Sequence, residues 1–84
     1  MHYLYIIQSL KDQGYYIGAT ENLEKRIKEH NSGKTKSIKN RTPFILKYKE
    51  VYENKTDARK REIELKKNYQ RRKELLINIG FKIN

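Results

Sequence analysis

The side chains best suited to chemistry lie in Tyr15 to His30, YYIGATENLEKRIKEH. In this stretch a tyrosine-rich segment with the composition of a β-strand runs into a helical pattern that carries an arginine and a histidine. At about 100° of rotation per residue, Arg26 and His30 fall on or beside the apolar stripe that Leu23 and Ile27 define. A charged side chain that was only solvated would be expected on the opposite, polar face of the helix. We therefore expect any chemistry of this chain to take place here.

A carboxylate interrupts the apolar stripe of a second predicted helix. In helical projection, Glu62 falls beside Ala58 and Leu65. Burying an unpaired carboxylate costs several kcal/mol, so Glu62 should face a cation, a metal ion or a water-filled cleft. The spacing leaves two interpretations open. Arg26 and Glu62 either form a structural ion pair between the two helices or belong to a functional site.

Tyrosines supply the remaining candidates, and by themselves they are less informative. Tyr5 and Tyr16 each lie in a β-prone run of the sequence. Without further information, both are better explained as half-buried aromatic side chains whose hydroxyl groups reach water.

The elements that must position these residues begin with a β-hairpin. Tyr3 to Ser9 and Tyr15 to Ala19 are β-prone, and Lys11 to Gly14 has the composition of a turn. A helix is predicted from Asn22 to about Ser32, with Asn22 as its N-terminal cap. The polar, basic segment 34–43 cannot bury a face, so we expect a loop there, with room for a helical turn.

The second half of the chain predicts one strand and two helical pieces: Phe44 to Tyr52, Asp57 to about Tyr69, and Gln70 to Ile79. Thr56 is expected to cap the first helical piece and Gly80 to end the second. Near Asn68, one bent helix and two separate helices are equally consistent with the sequence. The order ββαβαα predicts one α+β domain over residues 1–84, in which the helices cover one face of a three-stranded antiparallel sheet.

The charge of the chain indicates its class of partner. Twenty Lys and Arg residues against ten Asp and Glu residues give a formal charge of +10 on 84 residues. A potential of that strength gathers polyanions, so we expect nucleic acid, with DNA favoured over RNA. The cations expected to contact phosphate are Lys34, Lys36, Lys39, Arg41 and Lys66.

Other partners and compartments are less consistent with the composition. The chain has no cysteine, so a disulfide framework and a thiolate zinc site are excluded. The amino terminus lacks a basic leader, and its apolar run is far shorter than the ~20 residues that span a bilayer. We therefore expect a soluble, cytoplasmic protein.

The order of the candidate residues resembles the GIY-YIG nuclease superfamily. The resemblance extends from Tyr3 to at least Lys66, and it rests on Tyr3-Leu4-Tyr5, Tyr16-Ile17-Gly18, Arg26, His30 and Glu62. It is strongest to the small stand-alone bacterial proteins of the YhbQ-like branch. It is more distant to the amino-terminal nuclease domain of the bacterial DNA repair excinuclease. Each element alone is common in proteins, but five in order over a matching ββαβαα pattern are specific.

The resemblance implies metal-dependent hydrolysis of phosphodiester bonds. Glu62 would hold Mg²⁺ or Mn²⁺, and Arg26 would bind the scissile phosphate. Tyr16 would act as general base or orient the attacking water, with Tyr5 orienting water or phosphate beside it. His30 would contact phosphate or donate a proton to a neighbouring oxygen.

Two further expectations follow from the resemblance. A free tyrosine with a pKa near 10 is a poor base, so Tyr16 needs positive charge nearby. The metal or Arg26 would supply this charge. Ala19 stands where the excinuclease domain carries a lysine, and Lys66 is a candidate to replace that lysine. Gly18 would let the strand bend into the helix and let phosphate approach the backbone. The alternative function is a non-catalytic, basic nucleic-acid-binding module with the same fold.

Overall fold

One antiparallel sheet of three strands, in the order β2-β1-β3, forms the centre of the fold. The computed structural model describes residues 1–81. The strands are β1 (His2–Ser9), β2 (Tyr15–Thr20) and β3 (Phe44–Tyr52), and the helices are α1 (Leu23–Asn31), α2 (Lys55–Lys67) and α3 (Tyr69–Asn78). The predicted α+β class and the order ββαβαα are confirmed. Within the described residues, no helix is long and apolar enough to cross a membrane.

The central strand β1 is buried on both of its faces. Leu4, Tyr5, Ile6 and Ile7 are each at most 1% exposed. Tyr5 and Ile7 pack on the side of α1, whereas Leu4 and Ile6 pack against leucines of α2 and α3. The expectation that the helices cover one sheet face is therefore wrong. Four consecutive apolar residues leave β1 no polar face to present to water, so helices must cover both sides.

Asparagine side chains cap the three helices. Asn22, Asn54 and Asn68 each accept a hydrogen bond, 2.8 to 3.1 Å long, from the backbone N–H three residues further on. The predicted cap at Thr56 is wrong. Asn54 precedes it and is the stronger capping residue, so Thr56 lies inside the first turn of α2. The extended backbone of Asn68 (φ −100°, ψ 97°) makes α2 and α3 two separate helices.

The basic loop between α1 and β3 is fastened to the β1–β2 turn. Arg41 ends a short 3₁₀ turn (Lys39–Arg41) and forms an ion pair with Asp12, with 2.7 Å between Nε and Oδ2. The hydroxyl of buried Ser9 donates to the carbonyl of Arg41 at 2.5 Å. Contrary to expectation the loop does bury a side chain, since Ile38 is only 4% exposed and joins the cluster on the α1 side.

Candidate active site

Four of the five residues singled out as catalytic candidates surround the phenol of the fifth, Tyr5. Its hydroxyl lies 2.7 Å from Nε2 of His30. Arg26, Tyr16 and Glu62 lie near enough for their charges to act on the pKa of Tyr5. Side chains from β1, β2, α1 and α2 therefore meet at the β2 edge of the sheet. We call these five residues the Tyr5 cluster.

Gly18 makes room for Tyr5. The two residues are cross-strand partners, and the tyrosine ring lies over the glycine. A Cβ atom built on Gly18 would lie 2.6 Å from Cζ of Tyr5 and closer still to Oη, which no side chain tolerates. Gly18 stands within β2 rather than in a turn. Because Gly18 has no side chain, the Tyr5 ring can pack directly over its backbone. The sequence alone did not reveal this reason for the glycine.

Burial keeps the Tyr5 phenol protonated. Desolvation, opposed by the nearby guanidinium of Arg26, raises the pKa of Tyr5 to about 12. At neutral pH, Tyr5 therefore serves as a hydrogen-bonding phenol and not as a base.

His30 is buried, and both of its ring nitrogens are engaged. Its side chain has no exposure; Nε2 contacts the Tyr5 hydroxyl and Nδ1 lies 2.8 Å from Oγ1 of Thr35. Desolvation, reinforced by the positive charge of Arg26, lowers the pKa of His30 to about 4, so the imidazole is neutral at pH 7. The neighbouring oxygens of His30 are thus two protein hydroxyls. Thr35 was missed by sequence reasoning, because nothing in its segment marks a loop hydroxyl that folds back onto α1.

Tyr16 is the more accessible of the two central tyrosines. Its ring packs edge-on against the His30 ring, with 5.1 Å between centroids, and the residue is only partly buried. Within residues 1–81, its hydroxyl has no hydrogen-bond partner. The Nζ atom of Lys66 lies 5.7 Å from the Tyr16 ring centroid, so a cation stands where the sequence required one.

Glu62 is a buried carboxylate held by two exposed cations. The residue is 6% exposed; Nη1 of Arg59 lies 3.2 Å from Oε1 and Nζ of Lys66 lies 2.7 Å from Oε2. Arg26 pairs instead with Glu29, at a loose 3.8 Å. The ion pair between Arg26 and Glu62, one of the two interpretations of the sequence, is therefore absent from the described residues.

The chemistry of Glu62 fits a hard divalent cation. Its oxygens are the donors that Mg²⁺ and Mn²⁺ prefer, and the side chains of its partners, Arg59 and Lys66, are 65% and 47% exposed. Both partners can therefore turn away into solvent. The described residues contain no group of three or more His, Cys, Asp or Glu side chains that could hold a metal ion. Glu62, the one carboxylate of the Tyr5 cluster, would hold the ion, with water and phosphate completing the coordination sphere.

The predicted phosphate contacts divide into three kinds. Lys34, Lys36 and Lys39 are exposed in the loop after α1. Lys66 belongs to the site itself. Arg41 is committed within the protein, because its guanidinium also donates to the carbonyl of Tyr15 at 3.3 Å. As a phosphate contact, Arg41 stays a prediction that would require it to leave Asp12.

Comparisons with known proteins agree with the fold of this chain. The family model of the GIY-YIG catalytic domain matches residues 1–75. A UPF0213 protein of Clostridium perfringens is 46% identical over 93% of this chain and 84% of its own length. A UPF0213 protein of Halobacterium salinarum is 36% identical over 90% of this chain and 99% of its own length. The solution NMR structure of a UPF0213 protein from Bacillus halodurans is 37% identical, with a TM-score of 0.56, and covers 95% of this chain and 85% of that one.

Proposed function

This chain belongs to the GIY-YIG catalytic domain family, and we propose that it is a metal-dependent endonuclease that hydrolyses phosphodiester bonds in nucleic acid. The family indicates a nuclease; the metal and the residue roles are our proposal. The observation that carries the proposal is the convergence of Tyr16, Arg26, His30 and Glu62 on Tyr5. Burying these polar groups together would be costly without a use for them.

Tyr16 takes the proton from the attacking water. Its hydroxyl has no partner within residues 1–81, and the residue is partly exposed, so water can reach it. The Nζ atom of Lys66, 5.7 Å from the ring centroid, places a positive charge beside this phenol. The water oxygen then attacks phosphorus, the bond from phosphorus to the leaving oxygen breaks, and that oxygen takes up a proton from solvent, to which Tyr16 returns its own.

Arg26 binds the scissile phosphate. Its side chain is 36% exposed, forms a 3.8 Å contact with Glu29 and interacts with the Tyr5 hydroxyl, so its solvent-facing donors can bind phosphate oxygens. Charge that develops on those oxygens in the transition state strengthens the interaction. Tyr5, protonated at neutral pH and fixed by His30, orients water or phosphate beside Arg26.

Glu62 holds the divalent cation, Mg²⁺ or Mn²⁺. When bound, this cation polarises the phosphate and offsets the charge of the leaving oxygen. Arg59 and Lys66 stabilise the carboxylate. Because the Lys66 side chain is 47% exposed, it can turn from Glu62 toward Tyr16 or a phosphate.

The exposed lysines of the loop, Lys34, Lys36 and Lys39, bind the nucleic-acid backbone. Neutralising six phosphates would give a slope of about −5 in a plot of log affinity against log salt on duplex DNA. The formal charge of +10 supports contacts of this kind, and DNA is the favoured polymer.

The test is cleavage of plasmid DNA by the purified protein with Mg²⁺, compared with Glu62→Ala. We expect wild type to nick the plasmid and Glu62→Ala to lose at least about 100-fold in rate while binding DNA with similar affinity. Glu53→Ala, which removes an exposed carboxylate in front of α2, is the matched control and should leave cleavage unchanged. Full activity of Glu62→Ala would refute the assignment.

The alternative is a binding module that cleaves nothing. The observation in its favour is that Glu62 already has two cationic partners. Salt-sensitive binding of DNA without cleavage, in Mg²⁺ and in Mn²⁺ alike, would establish this alternative in place of the nuclease.

A further inference from the structure

An exposed aromatic ring stands among cations at the start of α3. Tyr69 is 59% exposed, the most exposed aromatic residue among the large hydrophobic side chains on the surface of residues 1–81. The guanidinium carbon of Arg72 lies 5.7 Å from its ring centroid, and Nζ of Lys73 lies 5.9 Å away. Both cations lie over the ring, at distances near the outer limit of about 6 Å for cation–π contact.

Packing does not explain this ring. Tyr5, Tyr15, Tyr16, Tyr48 and Tyr52 all belong to or pack against the two apolar clusters of the sheet, whereas Tyr69 belongs to neither. Its hydroxyl has no hydrogen-bond partner in the described part of the chain. A tyrosine that contributes so little to the core is poorly accounted for by stability.

A continuous series of contacts joins Tyr69 to the candidate active site. Arg72 donates through Nη1 to the carbonyl of Lys66 at 2.8 Å, which fixes its guanidinium at the junction of α2 and α3. The side chain of the same lysine contacts Glu62 and the Tyr16 ring. Glu62 lies on α2 and Tyr69 is the first residue of α3, so the two residues stand on either side of the junction that Arg72 bridges.

We propose that Tyr69 is a platform on which an unpaired nucleobase stacks, flanked by Arg72 and Lys73, which contact the phosphates on either side of that base. This inference rests on the proposed function and deepens it, because it names the substrate class: nucleic acid with a single-stranded segment next to the cleaved bond. An aromatic face accepts any base once it is unstacked, whereas a base inside a duplex presents only its edge.

The test measures binding without cleavage. Fluorescence anisotropy in EDTA compares a labelled single-stranded DNA with a blunt duplex of the same length. We expect Tyr69→Ala to weaken binding of the single strand about tenfold and to change binding of the duplex by less than about twofold. Tyr69→Phe keeps the ring and should behave as wild type.

Two controls separate stacking from charge and from a general effect on α3. Lys73→Ala should weaken both probes and lower the slope of log affinity against log salt by about 1, whereas Tyr69→Ala should leave that slope unchanged. Ile77→Ala removes another exposed apolar side chain of α3 and should affect neither probe.

The outcomes distinguish this inference from the proposed function. Equal weakening of both probes by Tyr69→Ala, or loss of single-strand binding in Tyr69→Phe, would overturn the platform and leave the nuclease assignment standing. If the wild type binds neither probe at any salt concentration, both proposals fail. If the wild type cleaves DNA and Tyr69→Ala binds both probes as wild type does, only the platform fails.

Discussion

Two clusters of tyrosine, arginine and glutamate lie at opposite edges of the same sheet. The Tyr5 cluster occupies the β2 edge. The second, which we call the Glu50 cluster, lies at the β3 edge and consists of Tyr48, Glu50, Tyr52, Arg61 and Glu64. The two clusters contain nearly the same types of residue, yet they differ in how far their hydrogen-bonding groups are satisfied within the protein.

In the Glu50 cluster every strong donor has found its acceptor. The hydroxyls of Tyr48 and Tyr52 each donate to Glu50 at 2.5 Å. Arg61 binds Glu50 through two nitrogens, at 2.9 and 3.1 Å, and reaches Glu64 with a third. Desolvation, together with the bond to Glu50, raises the pKa of Tyr52 to about 12. A saturated network of this kind holds α2 against β3 and leaves nothing to offer a ligand.

In the Tyr5 cluster, the groups that face solvent are left without strong partners. The one ion pair of Arg26 within residues 1–81 is the 3.8 Å contact to Glu29, its other interaction being with the Tyr5 hydroxyl, and the Tyr16 hydroxyl has no hydrogen-bond partner there. Glu62 is paired with two cationic side chains, which are exposed enough to leave the ion pair and be hydrated by solvent. Residue types alone therefore do not distinguish a functional site from a structural network. The distinguishing feature is the presence of donors and acceptors that are not satisfied within the protein.

The largest expected effect separates the clusters by activity. Tyr16→Phe should lower the rate of cleavage about 10²- to 10⁴-fold, because the proton acceptor is lost. It should leave the free energy of unfolding nearly unchanged. Tyr52→Phe, the matched variant, should keep full activity and lower the free energy of unfolding by about 1 to 2 kcal/mol, since it removes a hydrogen bond to a partly buried carboxylate.

Single-turnover cleavage and urea unfolding followed by circular dichroism measure the two quantities. The contrast between the clusters breaks down if Tyr52→Phe loses activity as Tyr16→Phe does. It also breaks down if both variants lose stability equally.

Much of this contrast could be predicted from the sequence. Helical periodicity correctly placed Glu62 on a buried stripe and Arg26 beside one. The partners of Glu62 were also readable, since Arg59 and Lys66 stand three and four residues away on the same helix, where ion pairs form. One of the two interpretations that the sequence left open paired Glu62 with Arg26, because both charges face inward.

Other parts depend on long-range geometry that no local pattern encodes. The reason for Gly18 requires the register that sets it opposite Tyr5. Thr35 reaches His30 only because the loop after α1 folds back. The helix start at Asn54 rather than Thr56 shows a third limit, a competition between two adequate caps that the earlier and stronger one wins.

The clusters should also differ in the pH range over which they lose stability. His30 has a pKa of about 4 in the folded protein, below its usual 6.5, so the unfolded chain binds a proton that the folded protein does not. The stability associated with His30 is complete above pH 6.5 and is lost as pH falls toward 4, by about 2 to 3 kcal/mol. Bonds from Arg61 and the two tyrosines outweigh desolvation and lower the pKa of Glu50, so its contribution is lost only below about pH 4.5.

Urea unfolding at a series of pH values tests this separation. His30→Gln should flatten the decline between pH 6.5 and 4, and Glu50→Gln should flatten only the part below about 4.5. A wild-type stability that stays constant from pH 6.5 to 4.5 would contradict the buried, neutral state of His30.

The smallest expected effect concerns Thr35, which acts on the Tyr5 cluster through His30. Thr35→Val keeps the shape of the side chain and removes the 2.8 Å hydrogen bond to Nδ1 of His30. That bond is worth about 1 kcal/mol, so we expect kcat to fall about fivefold with little change in KM. Thr35→Ser restores a hydroxyl and should restore kcat.

A double-mutant cycle decides whether Thr35 positions His30 or merely supports the loop. In the His30→Gln background, Thr35→Val should cost nothing further, because the imidazole that the hydroxyl orients is already gone. An additional fivefold loss in that background would show that Thr35 acts independently of His30. Thr35 would then not belong to the Tyr5 cluster, and the loop would support His30 structurally without affecting catalysis through it.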